Sequence, residues 1–231
     1  MQKETIAVII PVFNEKNCIC QSLENFQSLR FAEIIVVDGG STDGTYEIIK
    51  KEFPSIQCFQ TTVTERAVQM NFGASKSISD ILVFVHADTK LPINAGDLIR
   101  KKLDKDYIAG GFYKQYDQSN FLLQLYLKCL NYLYLGKMKC LVGTNAIFVK
   151  RTIFEQVKGF PEVPFLEDVI FSDIVNTAGS VAVVREPVIV SSRKYLKTGS
   201  FKQILRNFRI LIGYKIFKKN PVRLLELYRR S

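Results

Sequence analysis

The chain has 231 residues, 47% hydrophobic and 23% charged, which suffices for one domain with a full-sized core. Five cysteines (Cys18, Cys20, Cys58, Cys129, Cys140) form no CxxC pair, and a single histidine excludes a zinc site built on several imidazoles. The net charge of +10 is unevenly placed, because residues 193 to 231 hold 12 Lys/Arg against one acid, Glu226, leaving 20 basic and 21 acidic residues ahead of them.

Met1 to Thr5 run straight into an apolar strand without a charged-then-apolar leader, so secretion is not implied and reduced thiols in a cytoplasmic protein are expected. Strands are predicted at Ile6 to Val12, Glu33 to Val37, Ile56 to Phe59 and Ile81 to Val85. Helices are predicted between them at Lys16 to Leu29, Thr45 to Glu52 and Arg66 to Ser77, with Gly, Asp, Asn and Pro at the joints. This alternation argues for a parallel sheet covered on both faces. Right-handed crossovers then bring the four strand C-termini to one edge, where open α/β sheets bind ligands.

After residue 90 the rhythm changes. A helix near Ala95 to Lys102 leads to a strand at Tyr107 to Lys114 and an apolar helix from Ser119. A strand at Asn145 to Lys150, a helix from Asp168 and an extended stretch at Val181 to Ser191, broken by Pro187, follow. The run Phe121 to Leu135 is 15 residues long and contains Lys128, short of the ~20 needed to cross a bilayer. The last 30 residues read as two helices split by Asn220-Pro221.

Chemically distinctive stretches fall where the strands end. The first ends in Pro11-Val12-Phe13-Asn14-Glu15, the second in Asp38-Gly39-Gly40-Ser41-Thr42-Asp43-Gly44, and the fourth in His86-Ala87-Asp88; Thr64-Glu65-Arg66 follows the third. Each has a plain structural reading. Asp43 suits a helix cap, Gly39-Gly40 a tight turn, and Asp88 a turn residue. Asp38 follows four β-branched residues and must be exposed at the edge or hydrogen-bonded. Arg66 opposes a helix dipole in the first turn, whereas Glu167-Asp168 complements one. Their joint position at one pole is what points to a site.

PVFNE, then VVDGGSTDGT, then an Asp-containing motif closing the fourth strand, then a Glu-Asp pair, resemble family 2 glycosyltransferases of the GT-A fold over Ile6 to Arg230. The resemblance implies an α/β nucleotide-diphospho-sugar transferase fold, a mainly parallel central sheet flanked by helices, with a basic helical C-terminal tail. ERAVQMNFGA, HADT, PEVPFLEDV, SSRKY and PVRLLELYRR further resemble a compact bacterial subgroup, some members of which are assigned to arsenosugar biosynthesis. The expected organisation is a catalytic domain over 1–198, with a nucleotide-binding half to about 90 and an acceptor half over 91–198, then a tail over 199–231.

By the same resemblance, Asp38 contacts the nucleoside of a UDP- or GDP-linked sugar, with Pro11, Phe13 and Glu15 walling that pocket, and Arg66 contacts its base or diphosphate. Asp88 matches the last acid of the family's Asp-x-Asp motif, which holds Mg²⁺ or Mn²⁺ against the diphosphate, with Ala87 beside it. His86 replaces the first acid of that motif: it can donate to phosphate, ligate a softer ion such as Mn²⁺, or simply end a strand. Asp168 matches the general base of an inverting transfer, with Glu167 supporting it or orienting the acceptor. Gly143-Thr144-Asn145 stands where relatives often show Gly-Asp-Gln near the acceptor, and Arg193 about where larger members bind the diphosphate; a turn and solvated tail charge are the alternatives.

In the tail, Phe201, Ile204, Leu205, Phe208, Leu211 and Ile212 follow helical spacing, with Lys202, Arg206 and Arg209 facing elsewhere. Such a helix suits an anionic membrane surface, at the inner face of a cytoplasmic membrane, or packs on the catalytic domain or a second subunit. A lipid-linked or apolar acceptor follows as an expectation. A sugar-nucleotide pyrophosphorylase would carry a Gly-rich loop after the first strand, which Pro-Val-Phe-Asn-Glu does not supply. A non-catalytic nucleotide- or nucleic-acid-binding protein using the basic tail is disfavoured, because the tail lacks a recognised nucleic-acid motif and Asp38, Asp88 and Asp168 would oppose phosphates without a metal.

Overall fold

In the computed structural model, which describes residues 3–230, every side chain of the first strand, β1 (Ile6–Val12), is buried. Burial on both faces explains why this strand reads as a continuous apolar run rather than an alternation. Ile6, Val8, Ile10 and Val12 face one core, shared with Ile19, Leu23 and Phe26 of α1 (Ile19–Ser28) and Ile49 of α2 (Thr45–Glu52). Ala7 and Ile9 face a second core with Ala67, Met70 and Ala74 of α3 (Arg66–Lys76). Each fully buried Ile or Leu contributes about 1.5–3 kcal/mol by leaving water, so two-sided burial fixes β1 inside the sheet.

β2 (Glu33–Asp38), β3 (Gln57–Gln60) and β4 (Ile81–Phe84) extend the parallel part in the order β3-β2-β1-β4. In register, Asp38 stands between Val12 and Gln60, at the C-terminal edge the sequence anticipates. The chain then adds β5 (Thr89–Lys90), α4 (Ala95–Leu103), β6 (Tyr107–Tyr116) and α5 (Phe121–Cys129). α5 is capped by the Asn120 side chain, which accepts the Leu123 N–H at 2.9 Å, and continues as a π-helix over Leu130–Lys137. β7 (Ile147–Lys150), α6 (Arg151–Gln156), α7 (Glu167–Ala178), β8 (Ser180–Val190), α8 (Arg193–Thr198), α9 (Ser200–Lys215) and α10 (Pro221–Arg230) complete it. The sheet finishes in the order β4-β7-β6-β8-β5, with β7 antiparallel to both its neighbours and β8 parallel to β6.

Several elements differ from the sequence reading for local reasons. Gly143–Asn145 forms a 3₁₀ turn, so the strand expected from Asn145 begins at Ile147. Pro187 does not break β8; the register slips between Phe112↔Val184 and Tyr113↔Pro187, a bulge that accommodates the missing N–H. β5, α6 and α8 went unread because two to six residues are too few to show a period.

The apolar stripe read in the tail docks only in part: Ile204 and Leu211 pack against the body's cores, and most of the rest points outward. Phe201, Leu205 and Phe208 are 68%, 46% and 50% exposed, whereas α9 buries Gln203, Ile210 and Gly213. Ile210 and Leu224 join Cys140, Leu166 and Val169 in a third core on the body. Lys215 pairs with Asp173, and Tyr228 packs on Phe165 with ring centroids 5.2 Å apart. The helices therefore lie against the body through a mixed face and leave apolar residues outward.

Candidate active site

The first two strand-end loops are laced together. Asn14, at φ 55°, turns the chain after β1; its N–H donates to Ser41 Oγ at 2.8 Å and its Oδ1 accepts the Thr42 N–H at 2.9 Å. The Glu15 N–H donates to Thr45 Oγ1 at 2.9 Å, and Asp43 accepts the N–H groups of Lys16 and Thr45; the N-cap of α2 is Gly44, at φ 90°, so Asp43 ties the two loops together at the helix start instead of capping it as expected. Asp38 has no exposed surface. Its Oδ1 accepts the Gly40 and Ser41 N–H groups at 2.9 and 2.8 Å, a nest that needs Gly40 at φ +84°, while its buried Oδ2 has no partner among the described residues.

Beside these loops lies a cleft of about 460 Å³, lined by Pro11, Glu15, Arg66, His86, Ala87, Asp88, Thr144, Glu167, Asp168 and Arg193 among others. Most of the residues singled out in the sequence thus meet on one surface. Asp38, Phe13, Gly143 and Asn145 are not on that lining; Gly143 and Asn145 are buried just behind it, and Phe13 is exposed.

Arg193, in the first turn of α8, donates to Glu15 Oε2 at 2.6 Å and lies 3.6 Å from Asp88 Oδ2. Burial pushes the Asp88 carboxyl up, Arg193 pulls it down, and Glu15 pushes it up again. His86 sits against Gly143 so closely that a Cβ there would stand 2.4 Å from Nε2. Burial, followed by the charges of Arg66, Lys114 and Lys194, holds the His86 pKa well below its ordinary value, so the ring is a neutral imidazole.

Leu166 adopts φ 63°, a strained conformation for a bulky residue, and turns the chain into α7 with both acids in its first turn. Asp168 Oδ2 accepts the Gly143 N–H at 2.6 Å and its Oδ1 accepts the Val169 N–H at 2.7 Å. Glu167 is buried, and desolvation together with the neighbouring Asp168 pushes its pKa from 4.5 up to about 7, against the pull of Arg66. The native state therefore keeps a proton that the unfolded chain gives up between pH 4.5 and about 7; stability tied to it is complete below 4.5 and lost as pH rises through 7. Glu167→Gln should match wild type near pH 4.5 and exceed it at pH 8 by on the order of 1–3 kcal/mol. Thermal midpoints across that range test this, and a constant gap between the two proteins would count against it.

Lys114, Tyr116, Tyr126, Lys194, Tyr195, Gln203 and Tyr228 also line the cleft and were missed. Lys114 was legible in principle. In β6 the buried residues Phe112, Lys114 and Tyr116 share one face at a period of two, so a lysine in that series must point inward. The tail residues had no such signal, since only the packing of α9 and α10 brings them in.

For a divalent cation the donor set is sparse: among the described residues no group of three or more His, Cys, Asp or Glu could hold a metal. A hard cation of the Mg²⁺ type is commonly held by one or two carboxylates and completed by substrate phosphates. Asp88, a cleft carboxylate whose pKa burial raises, fits that arrangement, and the neutral His86 adds a nitrogen suited to Mn²⁺.

Residues 7–155 match the model of the family described as glycosyl transferase family 2. The chain belongs to that family. Among curated relatives, a UDP-N-acetylglucosamine–dolichyl-phosphate N-acetylglucosaminyltransferase of Methanococcus voltae is 41% identical over 51 residues, 22% of this chain and 20% of that protein. The chain thus aligns with about a fifth of that relative's length. Among solved structures, a mannosyltransferase from Pyrobaculum calidifontis in complex with GDP-Man and Mn²⁺ superposes with a TM-score of 0.68 at 19% identity, covering 98% of this chain and 69% of that one. Glucosyl-3-phosphoglycerate synthase from Mycobacterium tuberculosis, in complex with Mn²⁺, UDP and glucosyl-3-phosphoglycerate, gives 0.62 at 19% identity over 89% and 79%. These likenesses establish the GT-A fold for this family 2 chain.

Proposed function

We propose that this family 2 chain is an inverting, metal-assisted glycosyltransferase moving a sugar from a UDP- or GDP-linked donor to an acceptor hydroxyl. The observation that carries this reading is the convergence of Asp88, His86, Arg193 and Asp168 on one cleft at the C-terminal edge of the parallel strands. The complexes of the solved relatives with GDP-Man or UDP and Mn²⁺ support it. In this reading 1–90 is the donor half, 91–198 the acceptor half and 199–231 the tail; Met1, Gln2 and Ser231 lie outside the described residues. We also retain the compact bacterial subgroup that includes arsenosugar-biosynthesis members as a proposed placement.

Asp38 contacts the nucleoside in this reading, its buried Oδ2 lying under the Gly39-Gly40 loop, which must shift to admit a base N–H or a ribose hydroxyl, with Pro11, Phe13, Glu15 and Ala87 around the nucleoside. Arg66 and Arg193 bind diphosphate oxygens through their guanidinium forks. Asp88, with His86, would hold Mg²⁺ or Mn²⁺, which when bound neutralises charge on the diphosphate. Asp168 takes the acceptor hydroxyl's proton as that oxygen bonds to the anomeric carbon and the bond to the diphosphate breaks, its electron pair leaving on phosphate oxygen. Gly143 orients Asp168 through its N–H, while Thr144, Asn145 and Glu167 shape the acceptor side. A thermal-shift panel of nucleoside diphosphates and nucleotide sugars with Mg²⁺, Mn²⁺ or chelator tests the donor reading; no stabilisation by any of them would remove it.

The acceptor is apolar or lipid-linked in this reading, and the protein works at the cytoplasmic membrane face. No helix among the described residues is long and apolar enough to cross a membrane. Asn120 Nδ2 donates to Ser200 Oγ at 3.3 Å, which joins the N-termini of α5 and α9. Their outward residues Phe121, Leu125, Phe201, Leu205 and Phe208 are exposed alongside Lys197, Lys202 and Arg209, a basic and apolar combination suited to anionic lipid. Flotation with anionic vesicles should capture wild type and fail for Phe201→Ser/Phe208→Ser; equal flotation of the two would argue against this contact.

A further inference from the structure

Lys114 is a buried cation that no carboxylate among the described residues pairs. It is 7% exposed and lines the cleft, and among the described residues no carboxylate oxygen lies within 4.0 Å of its Nζ. The ammonium's one hydrogen bond goes to a neutral acceptor, Thr144 Oγ1, at 3.0 Å. Its backbone is pinned, the N–H donating to Asn131 Oδ1 at 3.1 Å and the carbonyl accepting Asn131 Nδ2 at 2.9 Å, so the β6 backbone cannot readily carry it out to solvent. An unpaired buried charge costs several kcal/mol, and proteins keep such groups where a ligand completes them.

Its surroundings assign it a side of the cleft. Thr144 follows Gly143, whose N–H holds Asp168, and Asp168 is the carboxylate whose charge Lys114 feels most. The corner formed by Asp88, Glu15 and Arg193 already has its own cation. Burial pulls the lysine down to about 8, so it remains mostly charged at neutral pH.

We propose that Lys114 anchors an anion subsite beside Asp168, and that the acceptor carries a phosphate group near the hydroxyl that is glycosylated. A lysine offers three donors on a compact point charge, one of them already committed to Thr144, which leaves two for phosphate oxygens. The inference rests on reading the cleft as a glycosyltransferase site. The phosphate could belong to a soluble ester or to a lipid headgroup, and the two sources share this chemistry.

The test saturates the full chain with nucleoside diphosphate and Mn²⁺, which fills the donor corner, and then titrates a phosphate probe by calorimetry. The probes are inorganic phosphate, glycerol 3-phosphate, and phosphatidylcholine vesicles with or without phosphatidic acid. Wild type should bind a phosphate probe, Lys114→Arg should retain it, and Lys114→Met should weaken it at least about tenfold while still binding nucleoside diphosphate. Lysine-dependent binding confined to phosphatidic acid vesicles assigns a lipid source, and binding of glycerol 3-phosphate a soluble one. The proposal is overturned by equal phosphate binding in Lys114→Met, by no phosphate binding in wild type, or by loss of nucleoside diphosphate in Lys114→Met. Failure of the wild type to bind nucleoside diphosphate, measured first, instead removes the glycosyltransferase reading.

Discussion

Asp168→Asn is expected to lower the rate of sugar transfer, or of donor hydrolysis, by about 10²–10⁴, with little change in nucleoside diphosphate binding. The carboxylate is held from both sides, Oδ2 by the Gly143 N–H at 2.6 Å and Oδ1 by the Val169 N–H at 2.7 Å. These two contacts fix its direction, so that the cost of orienting a base is met before the acceptor arrives. An amide of the same shape keeps one oxygen acceptor but cannot take a proton at neutral pH, and its NH₂ would confront one of the two backbone donors. Glu167→Gln should be milder, since in this reading Glu167 supports Asp168 and does not itself take the acceptor's proton, and its pKa of about 7 leaves it only partly ionised near neutrality. Steady-state turnover together with thermal shift separates the two effects. Undiminished turnover in Asp168→Asn would remove it as base.

Asp88→Ala is expected to abolish the difference between Mn²⁺ and chelator in stabilisation by a nucleoside diphosphate. In wild type at a hundredfold excess over Kd, binding adds about 2.7 kcal/mol, about 5–10 °C in Tm for a chain of this size. The loss should be specific, because the tighter contact of Arg193 is with Glu15 at 2.6 Å rather than with Asp88 at 3.6 Å, and removing Asp88 leaves that pair intact. Burial raises the Asp88 pKa by disfavouring the charged form, so without metal the variant should be no less stable than wild type near neutral pH. A variant that still responds to Mn²⁺ as wild type does would place the metal elsewhere.

Much of the parallel half was legible because its signals are local. Ile6 to Val12 reads as a strand buried on both faces from its apolar run alone, and Thr45 to Glu52 was delimited by Gly44 before it and by the end of its apolar spacing. The motif order at the strand ends was sufficient to place Asp38 and Asp88 at one pole, because right-handed crossovers leave few alternatives. Pro187 misled because a proline's missing N–H looks like a strand break unless a bulge absorbs it, and only the pairing with β6 reveals that bulge.

What the sequence determined by itself is the set of chemical groups and their chain order: apolar strands, helices between them, and acids and arginines at the joints. That follows from backbone periodicity and turn preference, which act over a few residues. The tertiary structure alone decided which groups share a surface and in what state. It joined Arg193 to Glu15 across 178 residues, pressed His86 against Gly143 and left it neutral, and turned Lys114 into an unpaired buried cation. Docking also split the apolar stripe of α9, turning Ile204 and Leu211 to the body beside Gln203, Ile210 and Gly213 and leaving Phe201, Leu205 and Phe208 outward. Burial and charge pairing depend on contacts between distant residues, and no local pattern encodes them.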